Sequence, residues 1–273
     1  MRSRIYTCFP EGKTLAFTCS YDDGKIMDRR FVDMLNRYGI KATFHLNTDY
    51  FGMEEGHQYP YISKEEVKAL YQGHEVACHT CSHVTMTRGN SIQNIQEILE
   101  NRMVLESICE YPVVGFSYPN GCYDDTSLRI LENCGIRYAR TTKSTYKFEL
   151  PQNFLEWHPT CHHNEDIFPL LDKFLGIHHA ERLNVFYLWG HSYEFERDQT
   201  WNQMETFFKQ AGGHETVWYV TNGELQAYMQ ASKQLVYYAN QRKVYNPSAL
   251  SVYISNGDKV YQIPSGQTII LLD

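Results

Sequence analysis

Leu15-Ala16-Phe17-Thr18-Cys19 is a short apolar run that passes directly into Ser20-Tyr21-Asp22-Asp23-Gly24. The first five residues read as a buried strand. The next five hold turn chemistry, ending in an Asp-Gly step that breaks the strand. A helix is expected next, because Phe31, Met34, Leu35 and Tyr38 recur at helical spacing and Gly39 stops it. Residues 40–46 return to strand composition. This order of strand, polar turn, helix and strand decides the fold, and the rest of the chain repeats it.

Residues 47–62 form a long loop with Gly52 and Gly56. Ser63 and Glu66 make a capping box for a helix carrying Val67, Leu70 and Tyr71, which Gly73 ends. A third strand is expected over 75–78, with His79 at its C-terminal end. Ile92, Ile95, Leu99 and Met103 mark one face of a longer helix. Strand four covers 113–116, a helix 125–134, strand five 136–139 and strand six 154–157. Leu170, Leu171 and Phe174 lie on a helix, strand seven covers 185–188, and Met204, Phe207 and Phe208 lie on another helix. Strand eight covers 217–220, and Leu225, Tyr228 and Met229 sit on the last helix. Strict β-α alternation implies parallel strands, and seven or eight such units fit a (β/α) barrel better than an open sheet. From about Tyr238 the pattern changes. Residues 251–254 and 259–263 read as a hairpin around Asn256-Gly257, and 268–272 adds a third strand. The expected organisation is a barrel domain over 1–237 and a small β appendage over 238–273.

At 273 residues the chain can bury a large core. Its 42% hydrophobic and 21% charged residues are ordinary for a globular protein. The formal charge of −7 has no basic block or stripe, which gives no electrostatic case for nucleic acid. No segment has the length of apolar chain that a membrane span needs. Met1 to Pro10 lacks an apolar region, so no signal peptide is expected and the expected location is cytoplasmic. The eight cysteines are scattered and fit reduced thiols; Cys78 and Cys81 form a lone C-x-x-C, too little for a zinc ribbon. The 21 tyrosines and 4 tryptophans suit a core and surface rich in rings, and also a sugar-binding cleft.

The polar residues collect at strand ends. Asp22 and Asp23 follow strand one, His79 and His83 follow strand three, Pro119 to Gly121 follow strand four, Glu156 and Trp157 close strand six, and His191 follows strand seven. In a barrel these ends share one mouth. The H-x-x-x-H spacing of His79 and His83 lets two imidazoles point at one ion. Taken alone, it also fits two structural or exposed histidines. An Asp from another strand end would complete three ligands and leave a position for water. Two nitrogens and a carboxylate suit Zn²⁺, Co²⁺, Ni²⁺ or Fe²⁺ rather than Mg²⁺ or Ca²⁺. Of the paired acids, one could bind the ion while the other takes a proton from its water; a surface Asp-Gly turn is the plain alternative. His158, Cys161, His162 and His163 cluster after strand six, where a loop near the mouth is the simpler reading and substrate or metal contact the other. His45 is expected as a hydrogen-bonded core histidine near the cleft, and Tyr193, Glu194 and Phe195 as residues that could shape a sugar subsite. No G-x-S-x-G is present, so a serine esterase is not supported.

Five of these segments resemble the motifs of the polysaccharide deacetylases, carbohydrate esterase family four, in the family's order. Ser20-Tyr21-Asp22-Asp23-Gly24 resembles its T-F-D-D-G. His79-Thr80-Cys81-Ser82-His83 is similar to H-[ST]-x-x-H, and Ser117-Tyr118-Pro119-Asn120-Gly121 to R-x-P-Y-G. Glu156-Trp157 resembles its D-W pair and Leu188-Trp189-Gly190-His191 its L-x-x-H. The resemblance spans residues 20–191. It implies a distorted, incomplete (β/α) barrel that hydrolyses N- or O-acetyl groups on an acetylated saccharide, with one divalent transition metal, zinc first. It implies Asp22 as general base, Asp23, His79 and His83 as metal ligands, and His191 as general acid. The Asn120 N–H would face the oxyanion, with Tyr118 and Trp157 beside the substrate. Leu188 would line an acetyl pocket, and Glu156 would be the acid that tunes the histidine.

The chain departs from the family where the motif arginine that pairs with the base is Ser117, where Tyr is Asn120, and where Pro is Val84. Arg140 at the end of strand five is the candidate replacement for the arginine. Two rival functions remain open on sequence: hydrolysis of a non-sugar or cyclic amide, and non-catalytic carbohydrate binding. Oligomeric state is not readable.

Overall fold

The computed structural model describes residues 4–178 and 182–271. Met1, Arg2 and Ser3 of the opening stretch, Leu272 of the expected final strand, and Asp273 lie outside the described residues.

Strand β1 (Ile5–Cys8) precedes the decisive segment, which forms β2 (Leu15–Asp22), longer than expected and buried at every position. Alternate residues of β2 face opposite ways, as the pleat dictates. Leu15, Phe17, Cys19 and Tyr21 join the core under the helices, whereas Ala16 belongs to a second core on the inner side. Thr18 and Ser20, both buried, make polar contacts on that inner side: Thr18 Oγ1 donates to Asn222 at 2.7 Å, and Ser20 Oγ lies 3.1 Å from the Tyr187 hydroxyl. Asp22 is the last inward position, so the register alone delivers a carboxylate to the inner rim.

Helix α1 (Asp28–Arg37) buries Phe31, Val32, Met34 and Leu35, close to the expected face. Each such side chain contributes about 1.5–3 kcal/mol when fully buried. Next come β3 (Thr43–Leu46), the single turn α2 (Val67–Leu70) and β4 (Glu75–Cys78). Glu66 Oε2 accepts from the Ser63 N–H at 3.1 Å, as the capping box requires. Helix α3 (Ser91–Cys109) lies where it was expected, but its face does not. Ile92, Leu99 and Met103 are exposed, and Asn94, Ile98, Asn101 and Leu105 are buried. The two buried asparagines carry hydrogen bonds that an apolar pattern does not reveal.

The chain continues through β5 (Gly115–Ser117), α4 (Asp125–Asn133), β6 (Tyr138–Arg140), β7 (Cys161–His162), α5 (Ile167–Leu175) and β8 (Asn184–Gly190). The expected sixth strand at 154–157 is a 3₁₀ turn, Phe154–Glu156, and the strand itself falls later, at β7. Phe154 and Trp157 are apolar because they pack on the inner core. Helices α6 (Ser192–Arg197) and α7 (Trp201–Ala211), strand β9 (Val217–Tyr219) and helix α8 (Asn222–Ser232) complete the alternation.

The parallel sheet has the order β6-β5-β4-β3-β2-β8-β7, with β9 beside the start of β2. It is a distorted (β/α) barrel. Its two edges approach each other through residues 157–162: Trp157 bridges Arg140 at one end of that segment, and Cys161 pairs with Leu188 at the other.

The C-terminal strands are β10 (Val236–Tyr237), β11 (Lys243–Tyr245), β12 (Val252–Asn256), β13 (Lys259–Ile263) and β14 (Thr268–Ile270). They make two three-stranded antiparallel sheets, β1-β12-β13 and β10-β11-β14. β1, which sequence reading missed, thus joins the expected hairpin. Val244, Val252, Ile254 and Ile263 share the inner core with Trp157, Val185 and Tyr187. No helix among the described residues is long and apolar enough to cross a membrane.

Candidate active site

Parallel strands put their C-terminal ends on one side. There Asp22, 3% exposed, has partners from three other strands. Arg140 Nη2 at the end of β6 donates to its Oδ2. Ser117 Oγ at the end of β5 donates to Oδ1 at 3.2 Å, and His45 Nδ1 on β3 lies 3.1 Å from the same oxygen. Burial by itself would raise the Asp22 pKa. The Arg140 guanidinium outweighs it and holds the carboxyl well below the usual range. Arg140 is fully buried and lies against the Trp189 ring, 4.2 Å from its centroid. Asp22 is therefore a charged carboxylate in a dry setting.

Asp23 turns away from its neighbour because its backbone is left-handed, with φ 79°. Gly24 follows with φ 67°, and a Cβ there would stand 2.9 Å from Leu46 Cδ2. Asp23 Oδ1 then lies 3.7 Å from His79 Nε2 and 3.8 Å from His83 Nε2. One ligand atom from each of the three residues falls within 4.8 Å of the others.

The hydrogen bonds also fix the tautomer of His79. Ser117 Oγ gives its proton to Asp22 and lies 2.6 Å from His79 Nδ1, and the Ser117 carbonyl is 2.9 Å from the same nitrogen. Both can only accept, so Nδ1 carries the proton and Nε2 keeps its lone pair toward Asp23 and His83. Burial, followed by the neighbouring imidazoles, lowers the His79 pKa well below its ordinary value, which keeps the ring neutral. Two free imidazole nitrogens and a carboxylate oxygen form a donor set suited to Zn²⁺ or a similar transition ion.

Helix α3 holds the loop in place. Asn101 Oδ1 accepts from the His79 N–H at 3.1 Å while its amide donates to the Leu46 carbonyl at 3.0 Å. Glu97 accepts from the N–H and hydroxyl of Ser82, at 2.9 and 2.7 Å. The loop bends at Thr80, φ 64°, and His83, φ 57°.

Across the mouth, His191 heads α6. Its Nδ1 is 3.4 Å from Glu194 Oε2. Burial lowers the His191 pKa, but Glu194 and then Asp23 and Asp22 outweigh it, and the net shift is upward. In the same way, burial raises Asp23, with His191 the first influence opposing it.

The sequence model of the polysaccharide deacetylase family matches residues 10–139. The Bacillus subtilis (strain 168) protein YxkH, assigned as a polysaccharide deacetylase, is 25% identical over 111 residues, 40% of this chain and 38% of that protein. The match thus spans well under half of the curated relative. A crystal structure from Mycobacterium smegmatis, likewise assigned as a polysaccharide deacetylase, superposes with a TM-score of 0.61 over 82% of this chain and 93% of that one, at 16% identity. A pseudoenzyme of carbohydrate esterase family four from Bacillus anthracis superposes with a TM-score of 0.50 at 18% identity, over 81% of this chain and 68% of its own. These two likenesses show the shared fold.

The deacetylase match ends at residue 139, one residue before Arg140, which pairs with Asp22. Other residues expected at the deacetylase site are placed elsewhere. Leu188 is fully buried in the core beneath the helices; Trp189, next in β8, faces the mouth. Trp157 is 1% exposed and packs on Tyr138, Phe154 and Tyr187 in the inner core. Tyr118 is 1% exposed, and its hydroxyl donates to the Leu155 carbonyl at 2.9 Å. Glu156 accepts from Asn153 at 3.1 Å, and the carboxylate beside His191 is Glu194. Asn120 does stand at the mouth side of β5, in a left-handed turn with φ 57°, its amide donating to Thr85 at 2.8 Å. Glu194 was expected only to shape a sugar subsite, and Asn101 was not singled out. The His191-x-x-Glu194 spacing at a helix start was the available signal for the first.

Proposed function

We propose that this chain is a metal-dependent hydrolase that removes N- or O-acetyl groups from a carbohydrate. The observation that carries the reading is the convergence of Asp23, His79 and His83 beside a buried Asp22 kept charged by Arg140. A divalent transition ion held by that trio, zinc first, would act as Lewis acid and acidify its bound water.

Asp22 is the general base. Its in-line neighbours Arg140 and Ser117 leave it one task, accepting a proton from the attacking water and losing it again on turnover. The Asn120 N–H is the candidate donor to the oxyanion. His191, whose Nδ1 faces Glu194 Oε2 at 3.4 Å, offers Nε2–H to the leaving amine or alkoxide. The acetylated sugar reaches this mouth past Tyr59, Tyr61 and Tyr193. Tyr59 and Tyr193 stack with centroids 5.8 Å apart, and Tyr193 lies 5.2 Å from the His191 ring.

Ser117 at the motif-arginine position favours the silent, glycan-binding alternative on sequence. The Arg140–Asp22 pair argues against it, because the charge the base needs arrives from the next strand. The test is an acetate-release screen of zinc-loaded protein over N- and O-acetylated oligosaccharides, with ring amides alongside. Acetate from at least one saccharide, abolished by chelation, is the expected result. Glycan binding with no acetate released, or turnover of ring amides alone, would overturn the reading.

A further inference from the structure

A second group of imidazoles lies across the mouth from the Asp23 trio. His162 Nε2 and His163 Nε2 each lie 3.1 Å from Glu194 Oε2, and His191 Nδ1 lies 3.4 Å from it. One carboxylate oxygen cannot align with three ring N–H donors at once. His191 Nδ1, His163 Nε2 and Glu194 Oε2 are in fact buried without an aligned hydrogen-bond partner. The other carboxylate oxygen, Oε1, is taken by Arg197 at 3.2 Å. Space for the His163 ring exists because residue 190 is glycine: a Cβ there would collide with its Nδ1.

The separations also suit ligands that share one ion. Nitrogen and oxygen donors about 2.0–2.1 Å from a tetrahedral cation stand roughly 3.3 Å apart. Ligand atoms of His162, His191 and Glu194 all fall within 4.8 Å of one another, and His162 and His191 are partly open to solvent. We infer that His162, His191 and Glu194 form a second divalent transition-metal site, with His163 and Arg197 orienting the carboxylate. The sequence marked His162 and His163 as a cluster without a role, and this geometry supplies one.

The site has a consequence that rests on the functional reading above. An ion on Nδ1 of His191 replaces the proton there and leaves a far weaker acid at Nε2, so excess metal would slow turnover. Metal counting tests the site without that reading.

The experiment is equilibrium dialysis of the full chain against Zn²⁺ at neutral pH, followed by elemental analysis. Two equivalents are expected for the wild type. His162→Gln, a change at a partly exposed ring, should bind one equivalent with its near-UV circular dichroism unchanged. Asp23→Ala should also bind one equivalent, and that one should vanish when His162→Gln is added. Saturation of the wild type at one equivalent, or a second equivalent that survives His162→Gln, would overturn the proposal. Acetate release is read separately: a zinc-replete protein that counts two ions yet releases no acetate from any saccharide contradicts the functional reading and leaves the site standing.

Discussion

Around Asp22 and Asp23 each carboxylate has its own partners: Arg140, Ser117 and His45 surround the first, and His79 and His83 face the second. Around Glu194 the ratio is inverted, with three imidazoles facing one carboxylate oxygen. The first cluster is assembled from five strand ends and braced by Asn101 and Glu97 of α3. The second comes from β7, the end of β8 and the first turn of α6. On the functional reading proposed above, the difference separates tasks. A base must stay charged in a dry place, so it is given a buried guanidinium. A leaving-group acid must keep and release a proton, so it is placed beside a carboxylate at a partly open helix start.

Substitutions can break this contrast, and the largest effect should come from Asp23→Ala. It removes the one anionic ligand of the trio, and loss of the ion should cost roughly a thousandfold or more in acetate release, read as kcat/KM. Asp22→Asn should keep the ion at that trio and lower kcat by about 10²–10⁴-fold, measured beside metal content. Full activity in this variant would refute the assignment of the base. Arg140→Met should leave a buried carboxylate unpaired. A stability loss of about 3–5 kcal/mol is expected in urea denaturation, with kcat reduced alongside. Glu194→Gln should be milder, lowering kcat by about tenfold with KM little changed, since it disorients the acid without removing it.

The smallest effect sharpens the contrast from outside both clusters. His74 Nδ1 accepts from the Ala42 N–H at 3.1 Å, and burial lowers its pKa to about 4. The unfolded ring, near 6.5, binds a proton first, so folded stability falls as pH drops from 6.5 toward 4 and then levels off. His74→Gln should flatten that slope by on the order of 2 kcal/mol. Thermal melts across this pH range would show it, and the effect must be subtracted before acid sensitivity is ascribed to either cluster.

The parallel architecture was legible because each strand carried its own apolar run and each helix its own spacing. The motif residues were legible because the Asp22-Asp23 and His79-His83 pairs sit on short contiguous segments. Three features were hidden for physical reasons. β1 pairs with β12, far along the chain, and its burial is partial, so it has no local signal. The buried face of α3 contains Asn94 and Asn101, whose amides bind backbone at Met86, Leu46 and His79, so hydropathy selected the exposed face instead. Leu188 was assigned by motif position, but strand alternation sends it under the helices and turns its neighbour Trp189 to Arg140. Arg140 itself was a candidate only because its strand end had to reach the same mouth as Asp22.

The central claim is that Asp23, His79 and His83 hold the ion that makes this mouth reactive. Its most direct test is the rate of acetate release from an N- or O-acetylated oligosaccharide by chelator-stripped protein as Zn²⁺ is returned. The account expects no release from the stripped protein, recovery on adding zinc, and no recovery in Asp23→Ala. Equal release from stripped and zinc-loaded protein, or zinc-driven recovery in Asp23→Ala, would contradict it.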